Sequence, residues 1–262
     1  MRFAVLGSGS RGNALLVECG GARLLIDAGF SCRELERRMR ALGVEPATLG
    51  AVVLTHEHDD HVRGADRLAR RWGVPLWATE GTLAECRGLS AEALAGARTL
   101  ASGVPAEIAG FRVEPFTVPH DAREPIGLVI ESAAGFRLGL VTDLGSRSRL
   151  AWGRLADLDA LVLETNHDPA MLRNGPYPWP LKQRVASRHG HLSNDDAADG
   201  VAELVSDRLR WVVLYHLSQT NNLPALAAAA VGEALARLGA AAQIALSEQD
   251  RPTPWLEVRH AV

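Results

Sequence analysis

The sequence predicts an α/β (α+β) protein built as a four-layer αβ/βα sandwich, with two mixed β-sheets face to face and helices on both outer faces. Hydrophobic residues make up 47% of the 262 residues and charged residues 23%, as in folded soluble domains. Both halves of the chain run from short apolar strands to helices on a similar scale, and two stacked sheets would bury both sets of strands. This length fits one large domain or two small ones, and we expect a single domain over residues 1–262.

Short apolar runs bounded by turn residues predict the strands of the first half. They cover residues 2–6, 14–18, 23–27, 51–55, 75–78 and 111–118, followed by a hairpin of 126–131 and 136–142. Ser31 is placed to cap a helix over residues 33–42 that Gly43 closes. Asp60 is placed to cap a second helix, which runs to Trp72 and ends at Gly73.

The second half mixes strands and helices in the same way. Strands are predicted over residues 158–164, 211–215 and 242–246, and helices over 194–205 and 223–238. Three prolines within residues 176–180 predict a rigid surface loop.

Composition and charge limit the function classes. The balance of 28 basic and 31 acidic residues gives a net charge of −3, which excludes an overall basic coat but allows a local basic groove. The cysteines, Cys19, Cys32 and Cys86, match no zinc spacing and no disulfide framework, and we expect them to be small buried hydrophobes. Without a membrane-length apolar run or a signal peptide, the sequence predicts a cytoplasmic protein that does not bind a membrane.

The segment from Gly7 to Gly12 matches the glycine pattern of dinucleotide-binding proteins. That fingerprint requires a helix to begin at the glycines, whereas residues 14–18 are too short for one and are predicted to form a strand. We therefore interpret the glycines as a tight loop, whose backbone amides can still face an anion.

The strongest chemical signal is the run Thr55-His56-Glu57-His58-Asp59-Asp60-His61, between a buried strand and a helix. Imidazole and carboxylate together suit zinc, manganese or iron. The alternation lets His56 and His58 point from the strand end toward one ion. Asp60 and His61, at the helix start, can reach a second ion.

This run resembles the HxHxDH signature of the metallo-β-lactamase superfamily. The resemblance implies three further ligands at the ends of later strands, and the sequence offers His120, Asp143 and His216, each after an apolar run. It assigns His56, His58 and His120 to one ion, and Asp60, His61 and His216 to the other. Asp143 would bridge the two ions, and Asp27, in the first motif of the family, would steady the site.

Further segments, at residues 9–13, 142–145, 164–168, 177–179, 190–194 and 216–222, are similar to the YycJ/WalJ branch of that superfamily. The resemblance implies hydrolysis at a dinuclear centre of two divalent ions (Zn, Mn or Fe), with Asp60 among the catalytic residues. It also implies 5′-to-3′ exonuclease activity on double-stranded DNA. We further expect Asn13, His167, Ser218 and Asn221 to lie beside the metal site or to face the substrate.

The motif Gly190-His191-Leu192-Ser193 resembles the one that carries the catalytic histidine of ribonuclease Z-like relatives, in which an upstream glutamate orients the ring. Glu164 occupies the matching place. His191 would then donate a proton to the leaving alkoxide. Two alternatives are that its N–H binds a phosphate oxygen, or that it caps the helix at Asn194.

Basic and aromatic side chains supply weaker signals. A set at helical spacing after the metal motif is predicted to form a solvated face: Arg63, Arg67, Arg70 and Arg71. A second set, near the proline-rich loop, is better placed for backbone phosphates: Arg173, Lys182, Arg184 and Arg188. Tyr177 and Trp179 would either stack on a terminal base or pack against the surface.

The leading hypothesis is a metal-dependent phosphodiesterase with DNA as its partner and substrate, and a homodimer is compatible with the sequence. The main alternative is a small-molecule hydrolase of the same fold that cleaves a cyclic phosphodiester or a thioester. A diiron redox protein would carry a carboxylate in place of His58, and a non-catalytic scaffold would not need a complete ligand set. A positive groove at the metals would favour a polymer, and a closed apolar pocket would favour a small substrate.

Overall fold

A computed structural model describes residues 1–259 of the chain. His260, which the sequence predicts to be an ordinary exposed residue, lies outside the described residues.

The first sheet has seven strands and comes mainly from the N-terminal half of the chain. Its order is β14-β1-β2-β3-β4-β5-β6, antiparallel from β14 to β3 and parallel from β3 to β6. The strands are β1 (Arg2–Gly7), β2 (Ala14–Cys19), β3 (Ala22–Ile26), β4 (Ala51–Val53), β5 (Leu76–Thr79), β6 (Arg98–Leu100) and β14 (Leu256–Glu257).

The second sheet repeats this plan with the order β13-β12-β11-β10-β9-β8-β7. It is antiparallel from β7 to β10 and parallel from β10 to β13. The strands are β7 (Ala106–Ile108), β8 (Phe111–Thr117), β9 (Ile126–Ser132), β10 (Arg137–Val141), β11 (Ala160–Glu164), β12 (Trp211–Tyr215) and β13 (Gln243–Leu246).

Ten α-helices lie within residues 1–259, and the longer ones pack on the outer faces of the two sheets. They are α1 (Cys32–Ala41), α2 (Asp59–Val62), α3 (Ala65–Trp72), α4 (Glu80–Glu85), α5 (Ala91–Ala95), α6 (Arg149–Arg154), α7 (Pro169–Asn174), α8 (Trp179–Val185), α9 (Asn194–Leu204) and α10 (Pro224–Arg237). A short 3-10 helix spans Pro46–Thr48.

Successive side chains of each strand point to opposite faces of the sheet, and this alternation divides the core into layers. Val5 faces inward with Leu128 and Val213 of the other sheet, so both inner faces share one buried cluster. The next residue, Leu6, faces outward and packs with Leu35 of α1. A third cluster lies between the second sheet and the helices α6, α9 and α10. The predicted four-layer sandwich of two mixed sheets flanked by helices is confirmed.

The predicted helix from Asp60 to Trp72 is wrong in two respects. Two helices occupy this stretch, and His58 rather than Asp60 is the residue that precedes the first. The break falls at Gly64, where a Cβ atom would lie 2.3 Å from the carbonyl oxygen of Phe30. The close approach of the loop before α1 explains both the break and the glycine.

Other differences concern short elements. The strands β6, β7 and β14 and the helices α4 to α8 were not predicted, since each has seven residues or fewer and too few apolar positions to show a period. The proline-rich segment is a loop only in part, because Trp179 and Pro180 begin α8. Cys32 and Cys86 are buried as predicted, whereas Cys19 is half-buried, and all three are free thiols. None of the helices within residues 1–259 has the length and apolar character needed to cross a membrane.

Candidate metal centre

The predicted metal ligands meet at one edge of both sheets. In the first sheet, the parallel strands β3 and β4 end just before Asp27 and the His56–His61 segment. In the second sheet, β10, β11 and β12 run parallel, and Asp143, Glu164 and His216 lie at or just beyond their carboxyl ends. His120 follows β8, which has the same direction because two antiparallel pairings separate it from β10.

Three of these residues have an unusual backbone. Asp27, Asp143 and His216 have φ angles of 60°, 52° and 55°. This left-handed conformation is uncommon for residues other than glycine and is concentrated at functional sites. Each lies within two residues of a strand end, so the chain turns sharply while the side chain stays at the sheet edge.

His56, His58 and His120 form the first group. The ring centroids of His56 and His58 are 4.6 Å apart, and His120 lies 5.1 Å from each. Nε2 of His120 is 3.3 Å from Nδ1 of His58. One nitrogen from each ring lies within 4.8 Å of the others, which is the spacing of a metal-ligand set.

Asp60, His61 and His216 form the second group, with ligand atoms again within 4.8 Å of one another. Oδ2 of Asp60 lies 3.5 Å from Nε2 of His61 and 3.4 Å from Nε2 of His216. Asp143 lies between the two groups, since its Oδ2 is 3.0 Å from Nε2 of His61 and its Oδ1 is 3.8 Å from Nε2 of His120. The structure thus brings together all seven side chains that the sequence offered as ligands.

Asp27 and Thr55 orient the rings of His61 and His56 by hydrogen bonds to their Nδ1 atoms. Nδ1 of His61 lies 2.8 Å from Oδ2 of Asp27 and must donate to it, so Nε2 is the nitrogen that faces Asp143 and Asp60. The Thr55 hydroxyl donates to the same carboxylate oxygen at 3.0 Å and therefore accepts from Nδ1 of His56, also at 3.0 Å. This arrangement turns the lone pair on Nε2 of His56 toward the cluster.

This nitrogen provides a test of whether the residues fit a metal. Nε2 of His56 is buried and has no hydrogen-bond partner among the residues described. Burial, together with the neighbouring His61, holds the pKa of His56 well below its ordinary value, so the ring is neutral. A neutral imidazole with a buried, unpartnered nitrogen facing other nitrogen and carboxylate donors is the form that binds a divalent ion.

The carboxylate at the centre is held in its charged form. Burial alone would raise the pKa of Asp143, but His216 and His61 more than offset this and keep it well below the ordinary value. The Thr142 hydroxyl also donates to Oδ2 of Asp143 at 2.7 Å. Asp143 is therefore an ionised donor positioned between two imidazole groups, as a bridging ligand requires.

Glu164 and His191 lie beside this cluster. Oε1 of Glu164, a fully buried residue, is 2.7 Å from Nδ1 of His191, and its Oε2 accepts the backbone N–H groups of Leu144 and Leu192 at 2.8 and 3.1 Å. The carboxylate thus orients the ring, whose side chain is 22% exposed. The alternative in which His191 caps the following helix is wrong, because the hydroxyl of Ser193 makes that cap.

The glycine loop supports the cluster instead of opening a helix, and the strand predicted after it is confirmed as β2. Oδ1 of Asn13 accepts the Gly9 N–H at 3.0 Å, while Nδ2 lies 3.2 Å from Oδ2 of Asp60. The loop also packs beside Gly29, where a Cβ atom would lie 1.7 Å from the carbonyl oxygen of Asp60. Only glycine allows the backbone to approach the metal motif this closely.

The remaining residues expected near the site have different surroundings. His167 is buried, and its Nδ1 has no partner among the residues described. The Ser218 hydroxyl accepts the backbone N–H groups of Thr220 and Asn221 at 3.3 and 3.1 Å, so it shapes the loop after His216. The Asn221 side chain is buried, and its Oδ1 also lacks a partner within the described range.

The expected basic and aromatic residues are largely engaged at the surface. Arg63 and Arg70 form ion pairs with Asp59 and Asp66 on the same face. Arg184 pairs with Asp121 at 2.6 Å. Lys182 donates to the carbonyl oxygen of Arg173 at 2.7 Å. Trp179 is 64% exposed and Tyr177 is half-buried.

Two features of the site were not predicted from the sequence. The linking role of Thr55 was not predicted, although its position directly before His56 was the available signal. The second is that Oε1 of Glu164 also lies 3.0 Å from Nδ1 of His216, so one carboxylate touches two imidazoles. These two residues are 52 positions apart in sequence, and nothing local marked their proximity.

The chain is similar to known proteins both in sequence and in structure. The profile of the beta-lactamase superfamily domain matches residues 22–217. The chain is 35% identical to the exodeoxyribonuclease YycJ of Bacillus anthracis, over 91% of this chain and 90% of that protein. It is 32% identical to the exodeoxyribonuclease WalJ of Streptococcus pneumoniae, over 98% of both. The metallo-β-lactamase fold protein YhfI of Bacillus subtilis superposes with a TM-score of 0.74 at 16% identity, over 96% of this chain and 98% of that one.

Proposed function

This chain belongs to the YycJ/WalJ branch of the metallo-β-lactamase superfamily and is a metallo-hydrolase; we propose that it is a dinuclear DNA exonuclease. The reaction is hydrolysis of phosphodiester bonds in double-stranded DNA, in the 5′-to-3′ direction. The observation that carries the proposal is the convergence of five imidazoles and two carboxylates at one sheet edge, where Nε2 of His56 is buried without a partner among the described residues.

In this proposal, His56, His58 and His120 hold one ion, and Asp60, His61 and His216 hold the other, with Asp143 between them. The mixed nitrogen and oxygen donors suit zinc, manganese or iron. When bound, the ions supply a water of lowered pKa and positive charge against the charge that develops on the phosphoryl group.

His191 supplies the proton for the leaving alkoxide. Its Nδ1–H is engaged by Glu164, so the transferable proton sits on Nε2, the nitrogen on the far side of the ring. Although burial alone would lower the pKa of His191, the Glu164 carboxylate more than offsets it and raises the pKa above the ordinary value. A ring whose protonated form is favoured by a neighbouring carboxylate and which is held in a fixed orientation is suited to general-acid catalysis.

Asp27, Thr55 and Asn13 act as positioning residues. Asp27 and Thr55 set the tautomers of His61 and His56, and the amide of Asn13 holds the carboxylate of Asp60. Partners of this kind orient metal ligands and raise their basicity.

DNA is favoured as the substrate by the two relatives named exodeoxyribonucleases, which match almost the whole chain. A small-molecule hydrolase would be favoured by a closed apolar pocket. A cavity lined by Pro119 and Ser146, which are close in the chain to His120 and Asp143, is instead a groove that carries four arginines. A diiron redox protein is disfavoured because His58 supplies an imidazole where such proteins carry a carboxylate.

The test is incubation of the protein with Zn²⁺, Mn²⁺ or Fe²⁺ and duplex DNA labelled at either the 5′ or the 3′ end, with single-stranded DNA and bis(p-nitrophenyl) phosphate in parallel. We expect 5′-labelled duplex to release labelled mononucleotides first, and 3′-labelled duplex to shorten progressively. Asp143→Asn serves as the inactive control against a contaminating nuclease.

Hydrolysis of the aryl diester without any cleavage of DNA would reject DNA as the substrate while retaining the phosphodiesterase chemistry. Release of 3′ label first would reverse the proposed polarity.

A further inference from the structure

A basic groove lies on the side of the second sheet and is lined by residues that are close in the chain to the metal cluster. It has a volume of about 690 Å³ and lies between the end of β8 and the loop that leads into α6. Four arginines line it, together with Leu150 and Pro119: Arg147, Arg149, Arg154 and Arg188. None of its lining residues is acidic, so its walls present positive charge although the chain has a net charge of −3.

The walls of the groove are joined to the cluster through the backbone. Pro119 directly precedes His120, and its carbonyl oxygen accepts the Gly145 N–H at 2.9 Å. The Ser146 hydroxyl donates to the carbonyl oxygen of Arg188 at 3.2 Å. The groove therefore starts one to three residues along the chain from His120, Asp143 and His191, and these hydrogen bonds fix it relative to all three.

The arginines differ in how far their charge is already neutralised. Arg147 pairs with Glu203 at 2.6 Å, and Arg154 pairs with Glu114 at 2.6 Å. Arg149 and Arg188 are exposed and form no ion pair with any residue in the described range. Two guanidinium groups in one groove are thus available for an external anion, and guanidinium suits bidentate binding of phosphate.

We propose that this arginine groove holds the phosphodiester backbone of the DNA next to the cleaved bond, with Arg149 and Arg188 as the main phosphate-binding residues. The inference rests on the proposed function and adds the path of the substrate. Leu150 is 85% exposed in the same groove, and it offers an apolar surface to a sugar or base between the phosphates. The path keeps Arg188 from the set that the sequence offered for backbone phosphates but leaves out its other members, of which Lys182 and Arg184 are engaged within the protein.

The experiment compares two double variants with the parent protein. Arg149→Ala with Arg188→Ala removes the unpaired arginines of the groove. Arg33→Ala with Arg67→Ala is the matched control, because it removes two exposed arginines from a separate pocket that Arg63 and Arg71 also line. Both variants change the net charge equally.

The first measurement is the affinity of the metal-loaded protein for a phosphorothioate duplex at several salt concentrations. The slope of log affinity against log salt should become less steep by about two for the groove variant, which is about one for each phosphate that is no longer neutralised. The control should keep the slope of the parent. The second measurement is kcat/KM on DNA divided by kcat/KM on bis(p-nitrophenyl) phosphate, which we expect to fall about tenfold for the groove variant only.

Two results would overturn the proposal, and they are distinguishable. If the parent cleaves DNA and the two double variants behave alike, or the control loses more affinity, the groove is not the path but the proposed function stands. If the parent hydrolyses the aryl diester but neither binds nor cleaves DNA, the proposed function fails and the groove proposal fails with it.

Discussion

The carboxylate of Glu164 holds the ring of His191, with Oε1 at 2.7 Å from Nδ1. The same oxygen lies 3.0 Å from Nδ1 of His216, a proposed metal ligand. One buried carboxylate therefore links the proposed proton donor to the proposed metal site. Its other oxygen is fixed by two backbone N–H groups, so an anchored carboxylate sets the position of both imidazoles.

His191→Ala should lower kcat on DNA by roughly 10²–10⁴-fold, as expected for the loss of a general acid. Both metals should be retained, since His191 is not among the seven proposed ligands. The loss should be smaller on bis(p-nitrophenyl) phosphate, because nitrophenolate leaves without a proton. The measurements are steady-state rates on both substrates and metal content per chain.

Equal losses on the two substrates would instead indicate that His191 stabilises the phosphoryl oxygens. Loss of metal would place it in the ligand set, which its closeness to Glu164 and Asp143 makes geometrically reasonable.

Glu164→Gln should produce a mixed defect. The amide must place its NH2 group either against the backbone N–H groups of Leu144 and Leu192 or against the two imidazoles, so we expect a loss in kcat on DNA and also weaker metal binding through His216. Metal titration of Glu164→Gln beside His191→Ala separates these effects. If Glu164→Gln bound metal as tightly as the parent, the hydrogen bond to His216 would have no role in positioning that ligand.

Asp143→Asn should lower metal content and abolish most hydrolysis, because an amide is a weaker and uncharged donor between two cations. The loss in metal affinity should exceed the roughly 10–100-fold that is typical when only an outer partner of a ligand is removed. Elemental analysis after dialysis measures it. His58→Ala is the comparison variant. Because His58 belongs only to the group of His56 and His120, its loss should first release the ion that this group holds. Full activity with two ions retained in Asp143→Asn would remove Asp143 from the site.

Much of the fold and the proposed ligand set could be predicted because their sequence signals are either local or occur in a fixed order along the chain. The run from His56 to His61 places four proposed ligands within six residues, and His120, Asp143 and His216 each follow an apolar strand. Strands such as Trp211–Tyr215 are continuous apolar runs whose ends are easily read.

The parts that could not be predicted depend on the packing of distant segments. The break at Gly64 reflects the position of Phe30, which belongs to the loop before α1 and is not indicated by any local pattern around Gly64. The basic groove joins residues of β8, α6 and the loop after α8. Its arginines are scattered along the chain from Arg147 to Arg188, so no run of charge marked it.

Thr55→Val should weaken metal binding, because it removes a single hydroxyl that positions a ligand. The Thr55 hydroxyl connects Asp27 to His56, and without it Nδ1 of His56 loses its acceptor and the tautomer is no longer fixed. We expect metal affinity to fall by about 10–100-fold, while the fold is retained because valine has nearly the same shape. Thr55→Ser restores the hydroxyl and should recover most of the affinity. Equal affinity in Thr55→Val and the parent would show that Asp27 acts only through His61.

Glu34→Gln should change how the stability of the fold depends on pH. Hydrogen bonds from Arg37, together with those from Arg38, lower the pKa of Glu34 from 4.5 to about 2 despite partial burial. Arg38 is buried and also donates to the carbonyl oxygens of Leu6 and Gln249, so this network holds the C-terminal segment against β1. Because the folded pKa is depressed, the stabilisation is fully present above about pH 4.5 and is lost as pH falls toward 2.

Urea unfolding should therefore show Glu34→Gln less stable than the parent at pH 7, by about 1 kcal/mol after allowing for solvent screening, with the difference shrinking at pH 3. Glu85→Gln, which removes an exposed carboxylate without an ion pair to any described residue, controls for the loss of one charge. A difference between Glu34→Gln and the parent that stays constant from pH 7 to pH 3 would mean that the ion pairs of Glu34 do not stabilise the native state.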